Sequence, residues 1–257
     1  MKAKARQYGV TLVEMTVVVA IVALLVSLGL PAIRALLNSF ESQQGAHTLI
    51  SSSLASARAL AAREQRYAGI RFQHKYEFDP GAGIADFIQR EQYMVFIVHD
   101  PDPAPDGTEY TNGFRAVEGL DPIKLPESVG VMEVIQSNGD VDQWQKLVNR
   151  TTFSVVFSPS GKLVIHLVRA WNKNGSRTSS SPDDIFNTKT KVDNGMALLY
   201  QDDYPADGLD QEQSCNSFIV YDRNLFDKVD VTKRYSDCLS KSETVYINPY
   251  TGTMIKR

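Results

Sequence analysis

The chain has 257 residues, 43% hydrophobic and 22% charged, which is enough apolar side chain for a real core and too much for an overall disordered polymer. Its formal net charge of -3 argues against a general nucleic-acid binder, whose domain would be strongly basic. Two cysteines exclude a cysteine-rich zinc module and a disulfide-dense miniprotein.

The charge is not evenly spread. Lys2, Lys4 and Arg6 stand in the first nine residues with no acid, and without them the basic count falls from 27 to 24 against 30 acids. Gly9 follows, and from Val10 to Leu30 the only charge is Glu14. Met15 to Ile33 is a run of 19 uncharged residues. As a helix it spans roughly 28 Å, close to the hydrocarbon thickness of a bilayer. No second run of this kind occurs, so the chain is expected to cross a membrane at most once, and the basic residues place its N-terminus in the cytoplasm.

An ordinary secretory signal has an apolar region of about 7–15 residues and a small-x-small cleavage site. This run is longer, and Gly29-Leu30-Pro31-Ala32 is a poor site of that kind. A plain anchor helix accounts for the length but not for Glu14, since a carboxylate in a membrane helix costs about 2.5–3.5 kcal/mol even on the lenient insertion scale. The segment Gly9-Val10-Thr11-Leu12-Val13-Glu14-Met15 closely resembles the class III signal of type IV prepilins and type II secretion pseudopilins. The resemblance implies that prepilin peptidase cuts between Gly9 and Val10 on the cytoplasmic side and methylates the new N-terminus at Val10. Glu14 becomes the fifth mature residue, the family's acidic position. The family usually has phenylalanine first, and valine is a smaller apolar substitute. Pro31 matches the proline found beyond the apolar core of the family's long helix. Physically, a free N-terminal ammonium and a carboxylate are each unfavourable in lipid. Pairing the amine of one subunit with Glu14 of its neighbour compensates both and penalises subunits out of register.

The helical pattern continues past Pro31, which is expected to bend the helix near residues 27–31. Leu36, Phe40, Ile50, Leu54, Ala57 and Ala61 recur at helical spacing, while Ser51, Ser52, Arg58 and Arg63 fall on other faces. A helix from about Thr11 to Arg66 would be roughly 84 Å long. The alanine- and arginine-rich stretch from Leu54 to Arg66, running directly into Tyr67-Ala68-Gly69-Ile70-Arg71-Phe72, resembles the H-type minor pseudopilins and FimT-like minor pilins (GspH/FimT).

Strand signals then dominate. Runs at Tyr93–Val98, Val129–Ile135, Phe153–Phe157, Lys162–Val168, Met196–Tyr200, Phe218–Tyr221, Thr244–Ile247 and Thr253–Lys256 predict strands, with Ser158-Pro159-Ser160-Gly161 as a hairpin turn. The expected fold class is α+β: a pilin-like long N-terminal helix, its first half transmembrane, packed on a mainly antiparallel sheet. The implied organisation is a leader at 1–9, a helix at 10–66 with its membrane part at about 10–33, and an extracytoplasmic domain at 67–257.

Three loops are polar: Asp100–Gly107, Lys173–Asp184 and Asp202–Gln213. The first lacks the ligand order of an EF-hand, and no metal or other cofactor is expected. For Cys215 and Cys238 the resemblance implies a C-terminal disulfide loop, closing 24 residues; the alternative is two buried free thiols. The histidines His47, His74, His99 and His166 form no His-Glu-x-x-His pair, and no phosphate loop, dinucleotide fingerprint or nucleophile elbow occurs, so an enzyme is not expected. Lys228, Lys233, Arg234, Lys256 and Arg257 are interleaved with Asp222, Asp227, Asp230, Asp237 and Glu243, which argues against a phosphate-tracking DNA patch.

The resemblance therefore implies a structural minor pseudopilin of a type II secretion system, or a minor pilin of a related type IV filament. Its partners would be other pilin-like subunits, prepilin peptidase, the inner-membrane assembly platform and, before assembly, membrane lipid. The competing function is a filament-tip module that binds DNA or another ligand.

Overall fold

The computed structural model describes residues 13, 15–22, 43–75, 91–101, 113–173, 181–201 and 212–256. Residues 13 and 15–22 are helical. Helix α1 (Gln43–Glu64) ends at Gln65, whose φ of 54° is the left-handed turn that stops a helix before a strand. The strands are β1 (Ala68–His74), β2 (Gln92–Asp100), β3 (Gly113–Ala116), β4 (Ile123–Lys124), β5 (Val129–Glu133), β6 (Phe153–Phe157), β7 (Leu163–Val164), β8 (Leu167–Val168), β9 (Ala170–Trp171), β10 (Phe186–Asn187), β11 (Leu199–Tyr200), β12 (Glu212–Gln213), β13 (Ser217–Asp222), β14 (Glu243–Ile247) and β15 (Met254–Lys256). Short helices α2 (Trp144–Thr151), α3 (Lys189–Asp193) and α4 (Arg223–Lys228) fill connections.

The result is mixed α+β with mainly antiparallel sheets, as expected. It holds two principal sheets rather than one. The larger runs β7-β6-β1-β2-β3-β9, with β4 also pairing β2; the smaller runs β15-β14-β13-β5. The pairs β10-β11 and β8-β12 stand apart.

Helix α1 joins the two principal sheets. Its Ile50, Leu54, Ala57 and Ala61, the stripe expected from spacing, are fully buried. They share one core with Ile70 and Phe72 of β1, Phe153 and Val155 of β6, Phe218 and Val220 of β13, and Val245 of β14. Leu36 and Phe40, the earlier members of the stripe, lie outside the described residues, as does Pro31. Strand alternation then builds two further layers. Ile219 and Tyr221 of β13 face a second cluster with Phe226 of α4, Cys238 and Leu239. Val156 of β6 and Val95 and Ile97 of β2 face a third, with Phe114 and Phe186.

Three contacts position these layers. A Cβ at Gly69 would sit 2.1 Å from the Val155 carbonyl oxygen, so only glycine lets β1 lie this close to β6. The Gln92 amide donates to the carbonyls of Val131 and Thr151 and accepts from the Val131 N–H at 2.9 Å, so a side chain stands in for a strand beside β5. Arg58, on a face other than the buried stripe as expected, donates from Nε to the Gly161 carbonyl at 2.8 Å. Its methylenes also pack beside Gly252, so one arginine holds the β6–β7 turn and the β14–β15 turn, both carrying a positive-φ glycine.

Lys162–Val168, expected as one strand, breaks at Ile165-His166. The first half pairs with β6, and the second turns away to pair with β12, because the Ser214 hydroxyl accepts the His166 backbone N–H. Of Met196–Tyr200 only Leu199–Tyr200 is a strand, and it runs parallel to β10.

Candidate functional site

The residues expected to carry processing and assembly, Gly9, Val10 and Glu14, lie outside the described residues. What is described beside them is a bare apolar helix. Val13, Met15, Val17, Val18, Val19, Ile21 and Val22 are all exposed, from 51% at Val17 to 68% at Val13. Among the described residues nothing covers these side chains, and an exposed apolar surface of this kind marks contact with lipid or with other protein. Among the described residues no helix is long and apolar enough to cross a membrane; the uncharged run to Ile33 is only partly among them.

In the globular part the most strongly built polar feature was not anticipated from sequence. Arg71 of β1 and Glu212 of β12 form an ion pair at 2.7 Å, each side chain 2% exposed. Arg71 Nε also donates to Gln73 Oε1 at 2.7 Å, and the Ser154 hydroxyl donates to Glu212 Oε1 at 2.5 Å. The Gln73 amide continues the network to the Tyr200 carbonyl. Arg71 lies in an apolar strand, 141 residues before Glu212, and only the fold puts the two charges together.

A second polar group lies at the edge of the smaller sheet. Arg150 of α2 reaches Glu133 at 3.1 Å and Asp140 at 3.2 Å. Burial pushes the Glu133 carboxyl up from its ordinary range, with the Arg150 guanidinium opposing it. Asp183, buried in the link before β10, is likewise pushed up by burial, although it accepts the backbone N–H groups of Ile185 and Lys173. Both are structural arrangements, each carboxylate closing a turn or an end of an element.

The disulfide expected between Cys215 and Cys238 is not formed: both are free thiols. Cys215 packs against the main core and Cys238 lies in the second cluster, with the β13 sheet between them. Burial pushes the Cys215 thiol up, reinforced by the nearby Glu133 and Glu212 carboxylates, and burial also raises Cys238. A thiol held protonated is a poor partner in disulfide exchange. Alkylation of the denatured chain without reductant is therefore expected to label two cysteines by intact mass. A species that takes up label only after reduction would show that the pairing does form.

Of the four histidines, His47 lies on α1 at 3.7 Å from Glu243, and His74 ends β1. His99 and His166 meet, with ring centroids 5.4 Å apart. Among the described residues no group of three or more His, Cys, Asp or Glu is placed to hold a metal ion.

Against this geometry, residues 4–30 match the family model described as the prokaryotic N-terminal methylation motif. That motif is the type IV pilin and pseudopilin signal, and it covers the N-terminal segment alone. The motif is one that prepilin peptidase processes in structural pilin-like subunits, and it supports that class for this chain. No curated protein and no solved structure matches the chain.

Proposed function

We propose that the protein is a minor pseudopilin of a type II secretion system, or a minor pilin of a related type IV filament. The observation that carries this is the methylation motif over residues 4–30, with Gly9 and Glu14 at the family's spacing. It is supported by the bare apolar helix at residues 15–22 and by a second helix, α1, built into the core of an α+β domain. In this proposal residues 1–9 are removed, 10–66 form the assembly helix, and 67–257 form the domain outside the cytoplasm. The helix first occupies the inner membrane, then moves into a bundle of pilin-like helices, where Glu14 meets the methylated amine of a neighbour.

Processing tests this directly. Coexpression with a prepilin peptidase is expected to give a mature chain beginning at methylated Val10. Gly9→Val is expected to block cleavage, because a branched side chain crowds the bond entering the peptidase. The measurement is the N-terminal peptide by mass spectrometry. Normal processing of the variant, or a mature terminus near Ala32, would overturn the proposal.

A further inference from the structure

We propose that the smaller sheet takes a further strand at its β15 edge, supplied by an extended apolar segment of a partner protein with carboxylates at its flanks. The sheet runs β15-β14-β13-β5, so β15 and β5 are its two edges. At β5 the Gln92 amide occupies the edge, accepting the Val131 N–H and donating to the Val131 carbonyl. At β15 no side chain does this among the described residues. The Asn248 N–H donates to the Thr253 carbonyl at 2.8 Å, so position 253 bonds inward. Antiparallel alternation then turns Ile255 inward, toward its register partner Tyr246, and turns the N–H and C=O of Met254 and Lys256 outward. Neither Met254 nor Lys256 has another backbone partner among the described residues. Such an edge is a template for one more strand.

Both faces beside this edge are apolar and unfinished. On the inner face Met254 packs against the main core yet is only half-buried. On the outer face, Phe226, Cys238 and Leu239 cover Ile219 and Tyr221 of β13, but Tyr246 and Ile255 remain 40% and 45% exposed. A strand laid along β15 would set one side chain beside Met254 and the next beside Ile255, so it needs apolar residues on both faces. The edge is held in place before anything binds. Asn248 Oδ1 accepts the N–H groups of Tyr250 and Thr251, and the Pro249 carbonyl accepts the Leu163 N–H. A preformed edge lowers the ordering cost of binding.

Charge selects the occupant. From Thr244 to Arg257 the only charged side chains are those of Lys256 and Arg257. Lys162 adds a third cation, its Nζ 5.7 Å from the centroid of the Tyr250 ring. A second copy of the chain brings the same cations to the edge and no carboxylate, and a lysine on an edge strand discourages self-pairing. A segment with acidic flanks complements them. The surface is independent of the N-terminal motif and of whether its helix assembles.

The experiment uses the full chain in detergent and a capped synthetic peptide with a short valine run between glutamates. Saturable binding is expected, with the backbone amides of Met254 and Lys256 exchanging about tenfold more slowly, while that of Ile255, already bonded inward, changes little. The same peptide with lysines in place of the glutamates is expected to bind about tenfold more weakly at low salt. Met254→Pro removes an outward N–H and no bond to β14, and is expected to abolish binding. Lack of protection at Met254 and Lys256 in the wild-type chain overturns the proposal whether or not the variant folds. Equal binding of the lysine peptide overturns it as well. So does self-association that Met254→Pro abolishes, which would make a second copy the occupant, or protection of this edge by a single-stranded oligonucleotide in place of the peptide.

Discussion

Glu212→Ala is expected to lower the unfolding free energy of the domain by about 3–5 kcal/mol, the usual penalty for removing one partner of a buried ion pair. The wild-type pair lies out of water on both sides, so the loss is dominated by the Arg71 guanidinium left in an apolar sheet without that carboxylate. The Ser154 hydroxyl loses its acceptor at the same time. Glu212→Gln keeps a hydrogen-bond acceptor and should lose less, while still forfeiting the charge. Denaturant unfolding of the full chain in detergent, followed by tryptophan fluorescence, measures both. A change below 1 kcal/mol for the alanine variant would mean that the pair is not buried in the folded protein.

Glu14→Ala is expected to be cleaved at Gly9 and inserted in the membrane, since alanine is easier to bury than a carboxylate, yet to join its partners poorly. The neighbour's N-terminal ammonium would be left unpaired in lipid, and the register signal would be gone. Glu14→Gln should fall between wild type and the alanine variant or resemble the latter, since it keeps a hydrogen-bond acceptor but loses the charge. Crosslinking of mature variants to pilin-like subunits, with secretion or piliation measured alongside, decides the matter. Assembly equal to wild type would leave two explanations: a subunit at the filament tip, with no neighbour's amine to meet, or an error in the role given to Glu14. Whether wild-type subunits still add below the variant separates them.

What was legible in the sequence was what is local. A leader, a glycine and one glutamate in an apolar run are contiguous, and their matched motif covers residues 4–30. The stripe Ile50, Leu54, Ala57, Ala61 is one helix face, and β2, β6, β13 and β14 are runs whose own composition selects a strand. What was not legible depends on distant partners. The two-residue strands β8 and β12 exist because Glu212 pairs with Val168 and Gln213 with Leu167. Arg71 meets its carboxylate only across 141 positions, a separation no local pattern reveals. The cysteines stay apart because neighbouring residues of β13 face opposite layers, a property of the sheet that spacing along the chain does not reveal.

Arg58 gives α1 a mechanical role. In a filament subunit of the proposed kind, the helix would be drawn out of lipid with the domain attached to it. Because Arg58 grips the β6–β7 turn and packs against the β14–β15 turn, tension along α1 is delivered to both principal sheets at once. Ile50, Leu54 and Ala61 spread the same tension along the helix's buried face. Peeling the helix from either sheet alone would leave it anchored to the other, so the domain yields only when both attachments give way together.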